Sequence, residues 1–145
     1  MRRILLAEDS ANDAELTLAA LHDARIANEV VHVCDGAEAL DYLYRRDRYG
    51  HRPDEPLALI LLDLKMPKVD GLEVLRQVKA DPHLRSTPVV ILTSSREEQD
   101  LVRSYGLGVN AYVVKPVDFE QFFNAVKLLG AFWVAVNEPA PRAQV

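Results

Sequence analysis

Short apolar runs alternate along the chain with longer stretches in which apolar residues recur every three or four positions. The short runs are rich in Val, Ile and Leu, as in strands buried on both faces of a sheet, and the longer stretches have the period of amphipathic helices. The predicted strands are Arg3–Ala7, Glu29–Cys34, Leu57–Leu62, Pro88–Thr93 and Ala111–Val114. The predicted helices are Ala11–Ala24, Gly36–Arg46, Gly71–Ala80, Glu97–Tyr105 and Phe119–Val134. This alternation predicts an α/β fold in which helices cover both faces of a parallel sheet.

Proline and glycine residues lie at or near the predicted boundaries, which supports this division of the chain. The polar, proline-containing segment Arg46–Pro56 is predicted to be an exposed loop between the second helix and the third strand. Residues 1–136 are predicted to form one domain, and residues 137–145 a frayed C-terminal tail.

Composition excludes several classes of protein. A hydrophobic fraction of 49% is too high for a disordered chain, yet no apolar run is long enough to span a membrane. The acidic pair Glu8-Asp9 interrupts any export signal, and the net charge of −5 comes without a basic cluster. We therefore expect a cytoplasmic protein that binds neither a membrane nor nucleic acid. The single cysteine, Cys34, lies in an apolar run and is predicted to be a buried, inert thiol.

Side chains able to bind a metal ion or a phosphate follow the predicted strands. They are Glu8 and Asp9 after the first strand, Asp63 after the third, Thr93 at the end of the fourth and Lys115 after the fifth. In an open parallel sheet, ligands bind beyond the carboxyl ends of the strands, so these side chains are expected to converge there.

Carboxylates that meet in one cleft repel each other, and a divalent cation relieves that repulsion. An all-oxygen set of ligands without nearby Cys or His favours Mg²⁺. A carboxylate that attacked a phosphoryl donor would form an acyl phosphate, with the metal and Lys115 stabilising the charge of the transferring group. The hydroxyl of Thr93 could then donate a hydrogen bond to the phosphoryl oxygens.

Each of these residues also has a purely structural interpretation. Glu8 and Asp9 could open the first helix, where acidic residues favour the helix dipole. Asp63 could cap a turn before Pro67, and Lys115 could be a solvated surface charge. Only their joint placement at the strand ends favours a functional site.

Four segments resemble, in the correct order, the receiver domains of two-component response regulators. The segments are Leu5–Ser10, Leu61–Gly71, Pro88–Ser94 and Ala111–Pro116. The resemblance implies a flavodoxin-like, doubly wound sheet of five parallel strands in the order 2-1-3-4-5, with five helices. It also implies a phosphorylation switch that catalyses its own phosphorylation and dephosphorylation without being a conventional enzyme.

Carried over by position, the resemblance assigns roles to individual residues. Asp63 is implied to accept the phosphoryl group from a histidine kinase. Mg²⁺ is implied to bind Asp9, Asp63 and the backbone carbonyl of Lys65, with Glu8 completing the acidic pair through a water molecule. Thr93 and Tyr112 match the switch pair, and Lys115 matches the phosphate-binding lysine, whose peptide bond to Pro116 is implied to be cis.

Two further positions, Lys65 and Ser95, match places where family members tune the lifetime of the phosphoryl group. The long cationic side chain of Lys65 is predicted to shield the acyl phosphate and to slow autodephosphorylation, so Lys65→Asn is expected to change that lifetime.

The loop at Arg46–Pro56 and the last helix also resemble single-domain regulators that serve bacterial phytochromes. This narrower resemblance implies a bacteriophytochrome histidine kinase as partner, with the first helix as its docking surface. The last helix carries more apolar residues between Phe119 and Val136 than one buried stripe needs, which predicts a homodimer interface. The alternative is a fully buried terminal helix.

Three other functions are alternatives to the receiver. A flavodoxin-like binding protein would need a loop rich in Ser, Thr and Gly after the first strand, where this chain has Glu8 and Asp9. A haloacid dehalogenase-type phosphatase expects a second acid two residues after its nucleophile, where this chain has Lys65. A receiver-like scaffold that is never phosphorylated stays compatible with the sequence.

Overall fold

The computed structural model describes residues 2–128, within which five strands and five α-helices alternate. The strands are β1 (Ile4–Ala7), β2 (Val30–Val33), β3 (Leu59–Asp63), β4 (Val89–Thr93) and β5 (Ala111–Val114). The helices are α1 (Ala11–Asp23), α2 (Gly36–Leu43), α3 (Gly71–Ala80), α4 (Arg96–Ser104) and α5 (Phe119–Leu128). One turn of 3-10 helix, Asp47–Tyr49, follows α2.

The strands form one parallel sheet in the order β2-β1-β3-β4-β5. Both the fold class and the strand order are therefore confirmed. Alternate side chains of the central strands point to opposite faces, so each strand contributes to two separate cores. Leu5, Ile60 and Ile91 belong to the core beneath α2, α3 and α4. Leu6 and Leu61 belong to the core beneath α1 and α5.

The second strand differs from its prediction because it lies at the edge of the sheet. Val30 and Val31 are only half-buried and His32 is exposed, whereas β1, β3 and β4 are buried throughout. The prediction that Cys34 is buried is wrong: its side chain is exposed, because it follows the last paired residue of this edge strand.

Helix α2 ends three residues before its predicted boundary. Arg45 adopts a positive φ of 54°, which ends the helical path after the cap at Tyr44. The predicted loop then folds back onto the helix, where the Arg52 guanidinium donates to the carbonyl oxygens of Tyr42 and Leu43 at 3.0 and 3.4 Å. These bonds hold the loop against the last turn of the helix, where carbonyl groups lack intrahelical partners.

The predicted continuation of the last helix to Val134 and the tail at 137–145 lie outside the described residues. Within residues 2–128, none of the helices has the length and hydropathy that a membrane span requires.

Candidate functional site

The order of the strands brings the acidic residues together. The chain runs from β1 outward to β2 and then crosses to β3 on the other side of β1, so the strand order reverses between β1 and β3. Ala7 is paired with Leu62 across these two strands, and the residues that follow them are Glu8 and Asp63. The two carboxylates therefore leave the sheet side by side, at the place where such folds bind their ligands.

Three carboxylates form a compact cluster at this point. Glu8 is fully buried, Asp63 is 3% exposed and Asp9 is exposed. One oxygen from each lies within 4.8 Å of the other two. Burial, reinforced by the neighbouring Glu8 carboxylate, raises the pKa of Asp63 to about 7.

The cluster fits a divalent cation. Glu8 Oε1 and Asp63 Oδ2 are buried and have no hydrogen-bond donor of suitable geometry, and the Lys115 ammonium is the positive charge beside them. One ammonium does not balance three neighbouring carboxylates, so an added cation would relieve the remaining repulsion. Together with exposed Asp9, the cluster offers only oxygen atoms, the ligands that Mg²⁺ prefers. The structure thus brings together Glu8, Asp9 and Asp63, the acidic residues that the sequence predicted to converge at the strand ends.

Lys115 supplies the positive charge at this cluster. Its ammonium lies 2.9 Å from Glu8 Oε1 and 3.2 Å from Asp63 Oδ2, and its side chain is 15% exposed. Burial alone would lower the pKa of Lys115, but its hydrogen bond to Glu8 and the charges of Asp63 and Glu8 raise it above the ordinary lysine value. The ammonium is therefore charged at neutral pH. The peptide bond from Lys115 to Pro116 is cis.

A fourth acid, Asp13, also contacts Lys115 and was missed by sequence reasoning. Its Oδ2 lies 3.3 Å from the ammonium nitrogen, and its side chain is 24% exposed. Ser10 caps α1 by accepting a hydrogen bond from the Asp13 backbone N–H at 3.2 Å, which fixes Asp13 in the first turn. A hydroxyl cap followed three residues later by an acid was the sequence signal available.

The chain after β3 packs tightly against the site. The Lys65 backbone N–H donates to Asp63 Oδ1 at 3.3 Å, and the Gly71 N–H donates to the Leu64 carbonyl at 2.8 Å. A Cβ atom at Gly71 would overlap the Asp63 carbonyl oxygen. Glycine at this position therefore lets α3 begin against the backbone of Asp63. The side chain of Lys65 extends away to Glu98 on α4, 3.5 Å from its carboxylate.

The two predicted switch residues lie on neighbouring strands. Thr93 is fully buried, and its hydroxyl donates to the Ser95 carbonyl at 3.1 Å. Tyr112 lies on β5 opposite Ile91 and is half-buried, with the Arg103 guanidinium 4.9 Å from its ring centroid. In this structure the Thr93 hydroxyl is thus engaged by the loop that leads into α4.

Comparison with known proteins agrees with this geometry. A family model described as the response regulator receiver domain matches residues 4–127. Response regulator Rcp1 from Synechocystis sp. is 40% identical over 138 residues, which are 94% of this chain and 92% of Rcp1. The solved structure of Rcp1 in its Mn²⁺-bound form has a TM-score of 0.74 and 38% identity, over 93% of this chain and 96% of that one.

Two bacteriophytochrome response regulators of known structure are more similar still. AtBRR is 63% identical with a TM-score of 0.86, over 95% of this chain and 99% of that one. RtBRR is 58% identical with a TM-score of 0.89, over 97% of this chain and 85% of that one.

Proposed function

This chain belongs to the family of response regulator receiver domains, which accept a phosphoryl group on an aspartate with the help of Mg²⁺, and we propose that Asp63 is its phospho-acceptor. A histidine kinase is the partner that such a receiver implies. The receiver domain is assigned to residues 1–136, with residues 137–145 as a tail, in line with the sequence pattern.

The observation that carries this assignment is the position of the Asp63 carboxylate. Among residues 2–128, it is the one carboxylate at the reversal of strand order that ends a central strand and also contacts both the Lys115 ammonium and the Lys65 N–H. An Asp63 oxygen attacks the phosphorus of the phosphohistidine, a P–O bond forms, and the P–N bond breaks with its electron pair going to the imidazole.

The other residues of the site stabilise this transfer. Glu8, Asp9, Asp63 and the backbone carbonyl of Lys65 would hold Mg²⁺, which supplies positive charge to the phosphoryl oxygens when it is bound. The Lys115 ammonium, already 3.2 Å from Asp63 Oδ2, neutralises a further oxygen.

Thr93 and Tyr112 are the proposed readout of the transfer. The Thr93 hydroxyl leaves the Ser95 carbonyl and donates to the phosphoryl group. Tyr112, on the adjacent strand, then moves into the space that the Thr93 side chain leaves.

Intact-mass spectrometry after incubation with acetyl phosphate and Mg²⁺ tests the assignment. We expect the wild-type protein to gain the mass of one phosphoryl group, and to lose that gain when a chelator is present. Asp63→Asn should gain nothing, whereas Asp70→Asn, at the cap of α3 in the same loop, should behave as the wild type. A folded wild-type protein that binds Mg²⁺ but is phosphorylated neither by acetyl phosphate nor by a kinase would instead be a scaffold.

We further propose that the kinase is a bacteriophytochrome. The support is the similarity of this chain to AtBRR and RtBRR, which are bacteriophytochrome response regulators. Phosphotransfer from a purified, autophosphorylated bacteriophytochrome should be much faster than transfer from an unrelated histidine kinase. Equal rates from both donors would contradict this pairing.

A homodimer that involves the C-terminal helix is the proposed assembly. Phe119 and Phe123 at the start of α5 are 43% and 45% exposed, and their rings stack at a centroid distance of 5.6 Å. An apolar pair of this kind is expected at the centre of an interface. Sedimentation velocity should show a dimer that Phe119→Ala with Phe123→Ala weakens about tenfold, the effect of losing about 1.4 kcal/mol. Leu18→Ala, an exposed apolar residue on α1, is the matched control.

A further inference from the structure

Glu98 is a buried acid that the proposed transfer does not use. It lies on the first turn of α4 and is 8% exposed, although neighbouring Glu97 is exposed. The Ser94 hydroxyl donates to its Oε2 at 2.7 Å, the Ser94 backbone N–H lies 3.3 Å from its Oε1, and the Lys65 ammonium lies 3.5 Å from its Oε2. Burial on its own would raise the pKa of Glu98, but the bonds from Ser94 and the charge of Lys65 lower it, so this group is ionised at neutral pH.

These contacts join the two chain segments that leave the sheet beside Asp63. Asp63 on β3 is paired with Leu92 on the adjacent strand β4. Lys65 and Ser94 each lie two residues further along their segment of the chain than this pair. Lys65 contacts Asp63 through its backbone N–H and Glu98 through its ammonium. Ser94 directly follows Thr93, the proposed switch residue. Glu98 therefore binds one donor from each of these two segments, the Lys65 ammonium and the Ser94 hydroxyl.

The charges make Glu98 a competitor of the phosphoryl group. A phosphoryl group on Asp63 would bring nearly two negative charges within reach of the flexible Lys65 ammonium. The side chain of Lys65 is 78% exposed, and among the described ion pairs Glu98 is its partner. A cation held this weakly is free to move to the stronger anion, and the Glu98 carboxylate opposes that movement.

We propose, on the basis of the proposed function, that Glu98 is a positioning residue that shortens the lifetime of the phosphoryl group. Its carboxylate, held in place by Ser94, keeps the Lys65 ammonium away from the phosphoryl oxygens. Hydrolysis proceeds by attack of a water oxygen on phosphorus. The P–O bond to Asp63 breaks, the carboxylate leaves with the electron pair, and the water proton goes to solvent. Lys65 slows this step when it lies against the phosphoryl oxygens, and Glu98 draws it away.

The test is the decay of acid-labile phosphate after the protein has been phosphorylated with acetyl phosphate and freed of the donor, with Mg²⁺ present. Glu98→Gln keeps the shape and one of the two acceptor oxygens that Ser94 uses, but removes the charge. We expect it to lengthen the half-life about threefold, the effect of losing one competing, partly exposed ion pair. Glu97→Gln removes the same charge from the same turn and should leave the half-life unchanged.

A double-mutant cycle separates this role from a structural one. Lys65→Met should shorten the half-life, and in that background Glu98→Gln should have no effect, because the cation for which Glu98 competes is gone. Equal half-lives for Glu98→Gln and Glu97→Gln would overturn the role of Glu98, as would an effect of Glu98→Gln that persists without Lys65. Either result would leave the proposed function intact. A wild-type protein that takes up no phosphate would overturn the proposed function and the role of Glu98 with it.

Discussion

At the scale of single residues, the ionisation of Asp63 opposes the stability of the fold. Its pKa is 3.8 in a solvated reference state and about 7 in the folded protein. The folded state therefore binds a proton that the unfolded chain has lost between these values, and stability falls as the pH rises through this window. Asp63→Asn removes the buried charge and should raise the free energy of unfolding by about 1–3 kcal/mol at pH 8.

The comparison is made by chemical denaturation in the presence of a chelator at pH 8 and at pH 5. At pH 5 the folded carboxyl is protonated and only about a third of the window between the two pKa values has been crossed, so the advantage of Asn should fall to less than half of its value at pH 8. An advantage of the same size at both pH values would mean that burial of the charge is not its cause.

Asp13 competes with the phosphoryl group for the Lys115 ammonium. Asp13→Asn removes one negative charge from the site and leaves Lys115 to Glu8 and Asp63. We expect the rate of phosphorylation by acetyl phosphate to rise by about two- to fivefold, the effect of a partly exposed ion pair. Glu15→Gln, an exposed acid on the same helix, is the control. A rate that falls, or that rises equally in both variants, would argue against competition.

The sequence predicted some site residues and missed others for a physical reason. Glu8, Asp9 and Asp63 lie at strand ends, where pairing in a parallel sheet decides which side chains meet. Asp13 and Glu98 lie on the first turns of helices, so their contacts depend on the direction in which each helix leaves its strand. The alternation of residue types along a strand does not predict that direction.

At the scale of elements, the start of α3 depends on the absence of a side chain at Gly71. A methyl group there would overlap the Asp63 carbonyl oxygen and crowd the Cα of Leu64. Both neighbours are backbone atoms and cannot rotate aside, so Gly71→Ala should destabilise the fold by about 1–3 kcal/mol. It should also slow phosphorylation, because the added methyl group would push α3 against the backbone that carries Asp63 and displace the carboxylate.

Gly108→Ala is the matched control, since a Cβ atom there meets nothing within 4 Å. Thermal unfolding and phosphorylation by acetyl phosphate would be measured for both variants. Normal stability and activity of Gly71→Ala would show that the backbone near Asp63 adapts more readily than the packing implies.

Element boundaries show where sequence patterns lose precision. The bounds of α3 and β5 agree with the prediction, because a capping Asp70 and flanking turns mark them. The end of α2 was placed too late because its sequence continues with Tyr44 and Arg45, which can extend a helix. The left-handed turn at Arg45 and the return of Arg52 to the helix end depend on contacts made by a distant part of the loop.

At the scale of the whole molecule, the strand order gathers groups that lie far apart in the sequence. Lys115 meets Asp13 and Glu8 across separations of 102 and 107 residues. The alternation of strands and helices predicted a parallel sheet but not its order, which came from the resemblance of four motifs to a known family. The site can therefore form only when the sheet is complete, which links ligand binding to global stability.

This link predicts how Mg²⁺ and protons together control stability. Mg²⁺ that binds only the folded protein should raise its free energy of unfolding, by about 2.7 kcal/mol at a concentration 100 times the dissociation constant. Protons compete for Asp63, whose pKa is about 7 without metal, so Mg²⁺ affinity should fall about tenfold for each pH unit below that value.

Thermal unfolding with Mg²⁺ or chelator should show a larger stabilisation at pH 8 than at pH 6. In Asp63→Asn most of the stabilisation should be lost at both pH values. If the wild-type stabilisation were equal at pH 6 and pH 8, Asp63 would not be the ligand at which protons and metal compete.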